Sequence, residues 1–328
     1  MGDTAAGPVI SWGGVSALGA GVSLLLFFIP ALEGSGGGSM LWTVVMVTLT
    51  TFSVIFAPAP LMWAYRRGGA AQGRAATLVA LVAAWVLSST LLPLPGGGMN
   101  FFYYAVVAAA VGEVLARGWS EETALAAALA AALVVLGGIA MVLGPLSGQG
   151  LGEFVRSQVD PEINALLAVY RDSGMDAATV KMLGGVLRGL IKLTPGILAA
   201  ASLLLVWANL VASRINQPPP EPARSLTLWR APEVLVWFFI VAVVLVVATR
   251  GWLFWLGANL LIATSAVYLL QGIAVLAFWL QKKKIPRPAR AAIYTAVVLM
   301  ELVLLLLVAA GLFDMWFDFR RLKANAAA

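Results

Sequence analysis

Few side chains in this chain can do chemistry. It has no histidine and no cysteine, which removes imidazole bases, thiol nucleophiles, disulfides and the usual zinc ligands. The carboxylate that stands out is Glu301, deep inside the apolar run 291–313, with Val297, Val298, Leu304 and Leu305 as its own-helix neighbours. A carboxylate at the centre of a membrane span costs about 2.5 kcal/mol or more and by default faces protein or water. If the chain reverses around 285–286, the same depth is reached by Gln271, with Tyr268 one turn further out. Loss of water favours the neutral form of a carboxyl group. The expected arrangement is therefore a neutral Glu301 donating a hydrogen bond to Gln271, as a structural clamp or as a protonation switch in transport.

Other polar side chains inside apolar runs are Ser88, Ser89 and Thr90, then Asn209, then Asn259, Thr264 and Ser265. An unpaired amide in hydrocarbon is expensive, so Asn209, Asn259 and Gln271 each need a partner. Interhelical hydrogen bonds would supply one. A small-molecule pocket would require Ser88, Ser89, Thr90, Asn209 and Asn259 to converge. Gly13, Ala17 and Gly21 lie four apart and form a flat stripe through which another membrane helix can approach closely. Glu113 and Arg117 are spaced to pair along one helix face. No catalytic constellation is visible: there are no paired aspartates in apolar runs and no Gly-x-Ser-x-Gly elbow, so an intramembrane enzyme would rest on Glu301 alone. No metal and no cofactor is implied.

The elements that must position these residues follow from composition. Of 328 residues, 61% are hydrophobic and 11% charged, against roughly 25% charged in soluble domains. A bilayer core of about 30 Å needs roughly 20 helical residues, and apolar runs near that length recur at 8–31, 41–65, 75–95, 100–117, 122–145, 194–213, 233–249, 253–280 and 291–313. The expected fold is all-α and integral to the membrane. It is a polytopic bundle of about eight to nine transmembrane helices, with an amphipathic helical hairpin between spans five and six. That hairpin is segment 150–193. Asp160-Pro161-Glu162 reads as a helix start, and Asp176 as the start of a second helix. The first run lacks a basic leader and reads as a retained helix. NQPPPEPAR (216–224) is a non-helical linker. It sets off a six-span core (1–214) from a three-span block (233–328), with 215–232 between them.

Basic residues sort the loops. Arg66, Arg67, Arg74, Arg117, Arg214, Arg224, Arg230 and KKKIPRPAR (282–290) all fall in even-numbered loops, which the positive-inside rule assigns to the cytoplasm together with the N-terminus. Nine spans would leave FRRLK (319–323) on the opposite side, so either the count differs by one or the C-terminal tail lies at the outer interface as a short aromatic segment. The net charge of +6 is explained by this cytoplasmic face, with no nucleic-acid partner. The bilayer itself is the first partner.

YLLQGIAVLAFWLQKKKIPR (268–287) and LLLLVAAGLFDMWFDFRR (304–321), with FIP (28–30) and APAPLMWAYRRG (57–68), resemble the YybS-like bacterial membrane proteins, which share a domain of unknown function, number 2232. The resemblance implies a protein of the bacterial cytoplasmic (inner) membrane. The six-span core of that family is similar to the S components of energy-coupling-factor vitamin transporters, and more distantly to cell-shape proteins of the MreD type. The resemblance therefore implies two functions. One is small-molecule binding and transport, with a membrane protein partner docked on the Gly13, Ala17, Gly21 stripe. The other is a membrane scaffold or envelope-assembly factor without a ligand.

Overall fold

The computed structural model describes residues 12–29, 40–90, 97–214 and 226–320. Regular structure among them is helical: α1 (Trp12–Phe28), α2 (Met40–Phe56), α3 (Ala59–Thr90), α4 (Gly97–Ala116), α5 (Glu121–Leu146), α6 (Leu151–Asp172), α7 (Ala177–Leu190), α8 (Thr194–Ala212), α9 (Leu235–Ala248), α10 (Trp252–Lys282), α11 (Arg287–Leu299) and α12 (Glu301–Phe317). Helices satisfy their own backbone hydrogen bonds, as long apolar sequences in hydrocarbon must. All of NQPPPEPAR lies outside the described residues, as does the tail beyond Arg320.

Among the described residues five helical stretches are long and apolar enough to cross a membrane: Thr48–Thr90, Gly98–Ala116, Glu121–Leu146, Ala177–Ala212 and Trp252–Lys282. A bent pair, Arg287–Val297 with Glu301–Phe317, makes a sixth if counted as one span. The eight to nine spans expected from the apolar runs are thus not reached among the described residues. Runs 41–65 and 75–95 fall largely within one helical stretch. Runs 8–31 and 233–249 provide only the shorter apolar helices Gly14–Phe28 and Leu235–Ala248.

The chain divides into two compact units, one of Met1–Leu136 with Leu205–Pro219, the other of Gly137–Leu204 with Pro220–Ala328. In the first, α1 and α4 both pack on α3. Gly69, at φ 74°, interrupts α3 with a backbone conformation that suits glycine. The Tyr65 ring lies directly against the backbones of Gly73 and Gly112, so a side chain at either glycine would overlap it. Ser23 Oγ donates to the Ala57 carbonyl at 2.7 Å and anchors α1. The basic loops meet in ion pairs. Arg66 and Arg214 both reach Glu121, Arg66 at 3.1 Å, and Glu113 pairs with Arg74 at 2.6 Å and with Arg117 at 3.0 Å, the pairing its spacing suggests.

In the second unit α6 and α7 form a hairpin around Ile163, Leu167 and Val180. Asp160 does not start a helix. α6 runs from Leu151 with Gly150 as its N-cap and continues through Pro161. Asp160 instead pairs with Arg188 of α7 at 3.5 Å. Asp176 does cap α7, accepting from the Thr179 N–H at 2.9 Å. A hydrogen bond from the Thr179 side chain, with another from its backbone, holds the Asp176 carboxyl below the usual aspartate range. A single 3-10 turn, Ile191–Leu193, then joins α7 to α8.

Candidate functional site

α10 is the spine of the second unit, and two short helices share one of its faces. α9 covers the first half: Gly257 sits tightly under Ala242, Leu245 and Val246, and Phe239 meets Tyr268 edge-on at 5.6 Å. α12 covers the second half: Gly272 abuts the Leu307 backbone, and Gly311 abuts the backbones of Tyr268 and Gly272. Small residues permit such close approach in a membrane. With 14 and 17 residues, α9 and α12 are only about 21 and 26 Å long, short of a bilayer core of about 30 Å. α10 has 31 residues, Trp252–Lys282. Both short helices therefore stop near its middle, around Tyr268 and Gln271.

A polar network occupies that meeting point. Asp314, in the last turn of α12, accepts from Gln271 Nε2 at 3.0 Å and from Arg320 Nη2 at 2.7 Å, both on Oδ2. Arg320 reaches back because Asp318 takes a left-handed conformation (φ 43°) and ends the helix. The Arg320 Nη1 group donates to the carbonyls of Thr227 and Trp229, each at 2.8 Å. Gln271 Oε1 accepts from the Ala231 N–H at 3.1 Å, and Arg230 Nη2 donates to the Met315 carbonyl at 3.0 Å. The irregular segment entering α9 is thereby tied to α10 and α12. Non-helical backbone at membrane depth is tolerated where protein buries it.

The network is buried, and it is not fully satisfied. Asp314 and Arg320 are each 1% exposed, and Gln271 and Tyr268 are fully buried. Asp314 Oδ1, Arg320 Nε, Arg230 Nε, the Tyr268 hydroxyl and Trp229 Nε1 are buried and find no protein partner among the described residues. A buried ion pair holds only when its remaining polar atoms are met. Asp314 Oδ1 and Arg320 Nε are thus left over within the ion pair itself.

The structure brings Gln271 into this centre but not Glu301, and Tyr268 is buried one turn away with its ring against Phe239 and its hydroxyl without a partner among the described residues. Met300 leaves helical geometry (φ −114°, ψ 98°), and the helices on either side meet at 102°. The run 291–313 is therefore two helices, and counting depth along it as one misplaces Glu301, which is exposed at the start of α12. The hydrogen bond expected from Glu301 to Gln271 is replaced by those of Gln271 with Asp314 and Ala231. Ser88, Ser89 and Thr90 donate to the carbonyls of Trp85 and Val86 in their own helix. Asn209 donates to Ile55 and Leu205, each at 2.7 Å. Asn259 accepts from the Gly196 N–H at 2.6 Å and donates to the carbonyls of Lys192 and Trp255. Asn259 is met by backbone at both ends, as a helix tie would be, whereas Asn209 is met only through its NH2 group and its Oδ1 is buried without a partner among the described residues. Gly13 lies in α1; Ala17 is exposed and Gly21 borders open space. Beside them in the first unit opens an apolar groove of ≈ 790 Å³, lined by Leu18, Val22, Phe56, Trp63, Trp207 and Val211 among others. No cluster among the described residues could hold a metal ion.

Asp314 and Arg320 are absent from the residues singled out by sequence. Their signal is an acid at the end of an apolar run with a basic pair six and seven residues on, in DMWFDFRR.

These elements define a multi-pass helical membrane protein with a buried polar centre. The model of the family described as predicted membrane protein (DUF2232) matches residues 39–315, well over half of the chain, and the chain belongs to that family. Neither a curated protein nor a solved structure matches it.

Proposed function

We propose that the protein binds a small polar solute and moves it across the bacterial cytoplasmic membrane, with Asp314, Arg320, Gln271 and Tyr268 at the solute site. The observation that carries this reading is the incompletely satisfied ion pair where two half-length helices end against α10. Discontinuous helices meeting near mid-depth are how transporters present backbone and charge to a solute inside a membrane. The basic ends of the first unit face the cytoplasm, as the positive-inside rule requires.

The test is to extract the protein into native lipid discs and compare its bound metabolites with those of Asp314→Asn and Tyr268→Phe. A polar metabolite enriched on the parent protein and lost from both variants, at unchanged helicity, supports the assignment. Equal profiles on all three proteins refute it.

A second reading, the scaffold or envelope-assembly factor that needs no ligand, is favoured by a different observation. Ala17, Gly21 and Leu25 leave one face of α1 uncovered beside the apolar groove, with Leu25 72% exposed. A partner membrane helix would fit there, and an S component would use the same face. Cross-linking from position 21 separates them: an ATPase complex favours transport, and cell-wall or division proteins favour the scaffold.

A further inference from the structure

The elbow between α10 and α12 carries charge that the solute site does not use. Lys282, Lys283, Lys284, Arg287 and Arg290 fall within 282–290, and no acidic residue occurs from there to Met300. Among the described residues none of these five forms an ion pair. Arg66, Arg74, Arg117 and Arg214 of the first unit, by contrast, are all paired with Glu113 or Glu121. Lys282, Lys283, Lys284 and Arg287 are exposed. Like charges packed this closely repel one another, so the arrangement calls for an outside anion.

Geometry says where that anion lies. α12 packs along α10, and α11 meets α12 at 102°. With α10 crossing the bilayer, α11 runs close to the membrane plane. Its sequence suits that position. Arg287, Arg290, Tyr294 and Thr295 share one face of the helix, and Ala289, Ala292, Ile293, Ala296 and Leu299 share the other. Leu299 is 76% exposed. The end of α10 marks the boundary: Lys282 Nζ stands 4.8 Å from the Trp279 ring and 5.8 Å from Phe278, an aromatic–basic pairing at home at a membrane interface.

We propose that this elbow is a binding site for anionic phospholipid headgroups, gripped by Lys282, Lys283, Lys284, Arg287 and Arg290 while the apolar face of α11 rests on the acyl chains. Clusters of four to eight basic residues beside a span or on an amphipathic helix attract acidic lipid in this way. The site is independent of the solute reading and stands or falls separately.

The full-length protein is delipidated and titrated with phosphatidylglycerol or phosphatidylcholine of identical chains, and adducts are counted by native mass spectrometry. The parent protein is expected to retain phosphatidylglycerol in preference, with the preference shrinking as salt rises. Replacing all five residues by glutamine should weaken phosphatidylglycerol binding at least about tenfold, while Lys→Arg at 282–284 leaves it intact. Equal binding of the two lipids by the parent protein overturns the proposal without recourse to any variant, and so does undiminished phosphatidylglycerol binding by a folded five-glutamine variant.

Discussion

The Asp314–Arg320 pair makes a quantitative prediction. Its side chains are 2% and 0% exposed, with 2.7 Å between Arg320 Nη2 and Asp314 Oδ2. Removing one partner of a buried pair costs about 3–5 kcal/mol, because the other charge is left without compensation. Arg320→Met also releases the Thr227 and Trp229 carbonyls, each worth about 1.5–3 kcal/mol as a bond to a charged donor. Asp314→Leu strands Arg320 and leaves the Gln271 amide unmet. Each single substitution should therefore cost about 4 kcal/mol or more. The double variant strands no charge and should cost no more than the worse single, which gives a coupling of about 4 kcal/mol or more. Reversible unfolding in mixed micelles, followed by helicity and by tryptophan emission, measures all four corners of the cycle. A coupling below about 1 kcal/mol would mean that the pair is solvated, as surface pairs are, and the account of a buried centre would fail.

Four further outcomes follow from individual contacts. Gln271→Leu leaves Asp314 and the Ala231 N–H each short of a bond, and should cost about 2–4 kcal/mol in the same unfolding assay. Glu301→Gln, at an exposed helix start, should cost less than about 1 kcal/mol; a loss as large as that of Gln271→Leu would reinstate Glu301 as a buried partner. Gly272→Val places a branched side chain against the Leu307 backbone and should cost about 1–3 kcal/mol or more, read as weakened protection of α12 amides in hydrogen exchange. Asp176, whose carboxyl is held below its ordinary value of 3.8, stabilises the start of α7 above that pH. The stabilisation is lost as pH falls through the lowered folded value. Amide exchange at Thr179 and Val180 should accelerate over that window, and Asp176→Ala should remove the pH dependence.

The membrane class was legible in the sequence because apolar run length has one dominant cause, the thickness of a bilayer. The span count was less so, since run length does not say whether a run is one helix. The two runs around Arg66, Arg67 and Arg74 fall in one helical stretch broken at Gly69. Asp160-Pro161 shows the same limit at smaller scale: a sequence favourable for starting a helix is overridden where the helix has already begun at Leu151. Asp176 kept its predicted role because its capping bond is local, made three residues away.

Glu301 and Asp314 show why the centre itself was missed. An acid in the middle of an apolar run draws attention because its cost is computed for an unbroken helix at mid-depth. In 287–313 the hydrophobic pattern changes partway: up to Thr295 polar residues keep to one face, and from Leu302 to Phe313 every residue is apolar. Such a change of pattern is what a surface helix followed by a buried one produces, and it places a break near Met300 without any proline or glycine there. With the break in place, Glu301 moves to a helix start where water and the dipole suit it. The carboxylate needing explanation becomes Asp314, which has no charge partner on its own helix. An arginine that can return to it must lie just past the helix end, close enough to fold back and far enough to reverse direction. Arg320, six residues on and beyond the left-handed turn at Asp318, meets both conditions.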